Sequence, residues 1–123
     1  MARFFTDGSS TISVKSAYVV TDESGKIIEF QETSPLSSNT TKDFFSNNEE
    51  EYRGVIAALN ICDTGDEICT DSLLVVNQVS GRFKIKALHL RELCEQAREL
   101  IGRKQAKLTW ISRDDNKAGK HFE

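Results

Sequence analysis

The sequence predicts an α/β fold built on a five-stranded mixed sheet, its first three strands antiparallel, with helices flanking it. Three observations lead there: short apolar runs separated by turn residues as far as Gln31, a switch to helical spacing of apolar residues after Asn47, and short apolar segments recurring between the later helices. A chain of 123 residues fits one domain, 1–123. With 38% hydrophobic residues, 28% charged residues and a single Pro, the composition is that of a soluble globular protein and excludes a disordered one.

Arg3 to Thr6 reads as the first strand, closed by the turn residues Asp7-Gly8-Ser9-Ser10. Ser16 to Val20 and Lys26 to Gln31 are the next two strands, joined by Asp22-Glu23-Ser24-Gly25, a hairpin connection. Thr33 to Thr41, rich in Ser and Thr and holding Pro35, is a loop. From Asn47 the apolar residues Tyr52, Val55, Ile56 and Leu59 fall on one helical face, with Asn47 or Asn48 as N-cap and Glu49, Glu50 and Glu51 in the first turn, where the helix dipole favours acids. Ile68 to Thr70 suits a buried strand; Asp71 to Val79 is a helix stopped by Gly81. Leu90, Leu93, Ala97 and Leu100 mark a helix over Leu88 to Ile101, stopped by Gly102. Lys107 to Ser112 is the last strand, with Trp110 packed in it, and Asn116 to Glu123 opens a short last helix.

The three cysteines, Cys62, Cys69 and Cys94, lack zinc-type pair spacing and read as buried free thiols in a reducing cytoplasm. Met1-Ala2-Arg3-Phe4 has no apolar signal-peptide core, and no apolar run approaches the roughly 18 residues a membrane span needs. The formal net charge of -3 argues against a protein that grips nucleic acid by charge alone. Acids that converge on divalent metals remove that objection, because the ions reverse the local field. A nucleic-acid reading therefore needs both a metal site and a basic patch.

Asp7 after the first strand, Asp71 after the fourth, and Glu51 in the first helix can meet in this topology. Two-metal phosphodiester cleavage needs about three or four carboxylates converging on ions roughly 4 Å apart. Basic residues follow the second helix at Arg82, Lys84, Lys86 and Arg91 and recur at Arg98, Arg103, Lys104 and Lys107.

Five ordered segments, Thr6-Asp7-Gly8-Ser9, Asn47-Asn48-Glu49-Glu50-Glu51-Tyr52, Asp71 to Val79, Gly81 to Lys86 and Trp110 to Asn116, resemble the motifs of type 1 ribonuclease H. The resemblance spans nearly the whole chain. It implies a ribonuclease H-like fold, cleavage of the RNA strand of RNA/DNA hybrids to give 5'-phosphate ends, and two Mg²⁺ or Mn²⁺ ions. It implies that Asp7 bridges both ions while Glu51 and Asp71 bind the second. Asn47 and Asn48 match the family's substrate-contacting pair, Ser46 stands where a Thr touching the DNA phosphate is common, and Leu73 replaces a minor-groove Gln. Gly8, Ser9, Lys84, Lys86 and Arg113 complete the expected substrate contacts. A monomer with no obligate protein partner is expected.

One departure concerns the fourth carboxylate. The family usually ends Arg-x-x-Asn-x-x-Ala-Asp, and a gapless match puts Gly119 and Lys120 where Ala and Asp should stand. Asn116 is the favoured fourth ligand, with Asp115, Asp114 and Lys120 as alternatives and a plain helix cap as the structural one. Neither His89 nor His121 matches the family's histidine before the last helix; Arg113 occupies that neighbourhood. The rival functions are a DNA-cutting nuclease or integrase of the same superfamily, and a catalytically weak or inactive ribonuclease H-like nucleic-acid binding module.

Overall fold

In the computed structural model, which describes residues 1–10, 16–33 and 47–122, the hairpin that the turn residues predict is present. Asp22 Oδ1 accepts hydrogen bonds from the Ser24 and Lys26 amides, and Gly25, at φ 89°, takes the left-handed position. It joins β2 (Ser16–Thr21) to β3 (Ile27–Thr33), and β2 pairs antiparallel with β1 (Arg3–Ser10). Strand β4 (Glu67–Thr70) lies parallel to β1 and β5 (Lys107–Trp110) parallel to β4, giving the order β3-β2-β1-β4-β5. The predicted mixed sheet of five strands, its first three antiparallel, is the one observed. The expected loop residues after Thr33 lie outside the described residues, and so does Ser46.

Successive side chains of β1 point to opposite faces. Phe4 packs toward α1 (Asn47–Ile61) and α3 (Leu88–Lys104), which with α2 (Leu73–Val79) bury Tyr52, Val55, Leu59, Ile68, Val75, Leu90 and Ala97. Each of the large aliphatic residues fully buried there contributes about 1.5–3 kcal/mol. Phe5 faces the other way, into a smaller cluster with Val19, Cys69 and Ala118. Cys62, Cys69 and Cys94 are free and buried, as expected.

Several boundaries differ from the sequence reading. Strand β1 runs through the expected turn at Asp7-Gly8-Ser9-Ser10, because Gly8, Ser9 and Ser10 find partners in Tyr18, Ala17 and Ser16 and the ladder outweighs their turn preference. Helix α3 passes Gly102 and ends at Gln105, whose φ of 51° supplies the left-handed cap and whose amide reaches Ile101 O. The last helix is replaced by two 3₁₀ turns, Arg113–Asp115 and Ala118–Phe122. Trp110, on the edge strand, is 46% exposed rather than packed.

Part of the expected basic patch is spent on structure. Arg98 donates to Gln78 O and Val79 O at the end of α2, Lys104 donates to Asn60 O and Cys62 O at the end of α1, and Arg91 holds Ile85 O. Arg98 and Lys104 thereby satisfy carbonyls that helix ends leave without partners. Arg82, Lys84 and Lys86 are exposed. Among the described residues, no helix is long and apolar enough to cross a membrane.

Candidate active site

The parallel pairing of β1 with β4 reaches Thr6 opposite Thr70, so the next residue on each chain, Asp7 and Asp71, projects at the carboxyl end of the pair. Asp71 is not a helix cap. Ser72 takes that role, its hydroxyl accepting from Val75 N, which leaves the Asp71 carboxylate to the site.

Glu51 arrives from α1, and Gly8 lets α1 come close enough. A Cβ on Gly8 would lie 2.4 Å from the Glu50 carbonyl carbon and 2.5 Å from Glu51 N. A Cβ on Gly54 would touch Tyr18 and Thr6 side chains. Only backbone against backbone fits at the first contact. The Gly8 amide then donates to Glu51 Oε1 at 2.7 Å and, at 3.0 Å, to Asp7 Oδ1, tying both acids to one group. Gly8→Ala is expected to force α1 off β1 at a cost of about 3 kcal/mol, because all three nearest atoms are backbone and none can swing away. A thermal melt is the check, with a fall on the order of 10 °C expected; a fall under about 2 °C would remove the close approach from this account.

Asp7, Glu51 and Asp71 each offer a carboxylate oxygen within 4.8 Å of the others. Asp71 Oδ2 is buried and has no hydrogen-bond partner. Three hard oxygen donors, one of them buried and unpaired, fit a divalent cation such as Mg²⁺ or Mn²⁺. Without one, Asp7 and Glu51 resist ionisation. Burial, and next the Asp71 charge, push Asp7 up to about 6, against the opposing pull of the Gly8 amide and the Arg113 guanidinium. Burial again leads for Glu51, followed by the charges of Asp7 and Asp71, and pushes it up to about 9.

Both acids are raised above their unfolded values, so the stability they contribute is present in full below the unfolded range and is lost as pH climbs through about 6 and then about 9. A bound metal replaces the proton. The rise in melting temperature on adding Mg²⁺ is therefore expected to grow as the pH is taken from about 6 to about 9. Equal increments at the two ends of that range would contradict a metal on this cluster.

Asn116 is fully buried between the two 3₁₀ turns. Its Nδ2 donates to Thr6 O at 2.9 Å and its Oδ1 accepts from Ala118 N at 3.1 Å. The side chain thus straps the C-terminal segment to β1 directly before Asp7, and an ideal Cβ on Gly119 would stand 3.3 Å from Asp7 Oδ2. Asp114, Asp115 and Lys120 are exposed, and Asp115 accepts from the Ser112 hydroxyl. Asn47 and Asn48, exposed in the first turn of α1, stand four and three residues before Glu51, on its side of the helix. Ser9 lies two residues beyond Asp7 on the same sheet face.

The part Gly8 plays in admitting the α1 backbone is not expected from the sequence, where Asp7-Gly8 reads as a turn.

Residues 5–122 match the family described as reverse transcriptase-like. The chain belongs to this family, within the ribonuclease H-like superfamily. The bifunctional protein Rv2228c of Mycobacterium tuberculosis is 38% identical over 76 residues, 58% of this chain and 21% of that protein. An uncharacterized protein of Mycobacterium bovis, Mb2253c, matches with the same figures, so the alignment spans about a fifth of these relatives' length. Among solved structures, the N-terminal RNase H domain of Rv2228c superposes with a TM-score of 0.69 at 26% identity, covering 98% of this chain and 93% of that one. RNase H1 from Halobacterium salinarum gives 0.71 at 23% identity, over 98% and 92%. LC11-RNase H1, solved in complex with an RNA/DNA hybrid, gives 0.65 at 22%, over 94% and 88%. The last two show the shared ribonuclease H-like fold.

Proposed function

We propose that this chain is an endonuclease hydrolysing the RNA strand of RNA/DNA hybrids. The observation that carries the reading is the convergence of Asp7, Glu51 and Asp71 within 4.8 Å at the carboxyl end of the parallel pair. Two Mg²⁺ or Mn²⁺ ions would supply Lewis acidity and neutralise charge on the scissile phosphate. Asp7, Glu51 and Asp71 would hold them. The Gly8 amide fixes the aim of two of these carboxylates, and the Arg113 guanidinium offsets the charge of Asp7.

Asn116 is proposed for the fourth position. Its Oδ1 uses one lone pair on Ala118 N and keeps the second. Hydrolysis with water as nucleophile and the 3'-oxygen as leaving group ends in a 5'-phosphate and a 3'-hydroxyl. For the substrate, short polar groups suit a minor groove read by shape and 2'-hydroxyls; Ser9, Ser46, Asn47 and Asn48 are proposed there, and Lys84, Lys86 and Arg113 for phosphates. The hybrid in the LC11-RNase H1 structure supports this substrate class. Three free, buried thiols support action in the cytoplasm, where we place the chain as a monomer.

The buried, strapped amide of Asn116 favours one second reading, a hybrid-binding module with weak or no turnover. Cleavage of a labelled hybrid in Mg²⁺ or Mn²⁺ against an EDTA control separates them: the nuclease cuts only with metal, the binding module retains the hybrid uncut.

A further inference from the structure

At the end of β4 the main-chain ladder to β5 makes its last link, Ile111 N to Thr70 O at 2.9 Å. The next carbonyl, that of Asp71, is met by a side chain: Trp110 Nε1 donates to Asp71 O at 3.2 Å. Nothing of the Asp71 carboxylate's own bonding fixes Oδ2, which is buried without a partner. Its aim therefore depends on how the Asp71 backbone is held. On the one side, Thr70 Oγ1 accepts from Ser72 N and sets the turn into α2; on the other, the indole holds the carbonyl. Trp110 is also half exposed.

From this geometry we infer that Trp110 is a positioning residue for the metal site, fixing the Asp71 carboxylate through the indole N–H···O=C bond. The inference rests on the proposed metal-binding role of Asp71. Hydrogen bonds that orient a ligand from behind typically change metal affinity by about 10–100-fold when removed. Trp110→Phe and Trp110→Tyr keep an aromatic ring and delete the indole donor. Leu73→Ala is the control, because Leu73 is 54% exposed two residues past Asp71 and has no such bond to give.

The experiment is a Mn²⁺ titration followed by electron paramagnetic resonance, beside metal-free melting curves. Both Trp110 variants are expected to bind Mn²⁺ about tenfold more weakly, with activity regained at saturating metal and melting temperatures close to wild type. Leu73→Ala is expected to bind like wild type. Trp110 is the only tryptophan, so the unaltered protein offers a second measurement: one indole N–H resonance, expected to be slow to exchange and to shift when Mg²⁺ is added. Wild-type Mn²⁺ affinity in the Trp110 variants, an indole signal indifferent to Mg²⁺, or an equal loss in Leu73→Ala would each overturn the inference while leaving the metal site standing. Failure of the wild-type protein itself to bind Mn²⁺ would overturn both.

Discussion

Asp7→Asn is expected to remove turnover by about a thousandfold or more while the metal-free protein melts at a higher temperature than wild type. The two effects have one cause. Burial, and next the charge of Asp71, raise the proton affinity of Asp7, so an uncharged amide relieves the cost of holding a carboxylate there in the folded state. The same amide offers metals a weaker donor where the site needs a charged one, and that loss amounts to several kcal/mol of transition-state stabilisation. Hybrid binding is expected to persist, since the proposed groove contacts lie on other residues. Single-turnover cleavage beside a metal-free melt checks it; a variant retaining more than about a tenth of the activity would take Asp7 out of the metal shell.

Asn116 carries the second large effect, this time mainly on stability. Asn116→Ala leaves Thr6 O without the amide donor and Ala118 N without its acceptor, and two buried polar groups so stranded cost about 2–4 kcal/mol together. Asn116→Asp sets a buried carboxylate against the Thr6 carbonyl and beside Asp7, so its metal-free melting point is expected to fall as well. The variants then part company. With Mn²⁺ added, the new carboxylate at a fourth ligand position gains a partner, and Asn116→Asp is expected to recover both melting temperature and cleavage while Asn116→Ala does not. An Asn116→Asp protein that metal fails to rescue would make Asn116 a strap between β1 and the C-terminal turns and nothing more.

The elements legible in the sequence are those whose signals are local. The Asp22-to-Gly25 turn, the helical period from Tyr52 to Leu59 and the Gly81 stop announce β2, β3, α1 and the end of α2 without reference to the rest of the chain. What the sequence misplaced depends on distant partners. Asp7-Gly8-Ser9-Ser10 has turn composition, yet it is strand because β2 lies alongside. The last helix dissolves into 3₁₀ turns around Asn116, whose amide bonds to Thr6, 110 residues away. Arg98 and Lys104 read as parts of a basic surface but cap helices whose ends only the fold brings near. Within the site, the three carboxylates were legible from their positions near strand ends and in the first helix, although Glu51 stands just past the first turn in which the sequence placed it. The close approach at Gly8 that unites them was not, because it is a property of two backbones meeting.

The central claim, a metal-dependent cut in the RNA strand of a hybrid, is tested most directly by strand-labelled substrates of one sequence prepared as RNA/DNA hybrid, double-stranded RNA and double-stranded DNA. With Mg²⁺ or Mn²⁺, internal cuts confined to the RNA strand of the hybrid are expected, with products that bear 5'-phosphate, and none in EDTA. Duplex DNA cut as fast as the hybrid, or cleavage that survives EDTA, would contradict it.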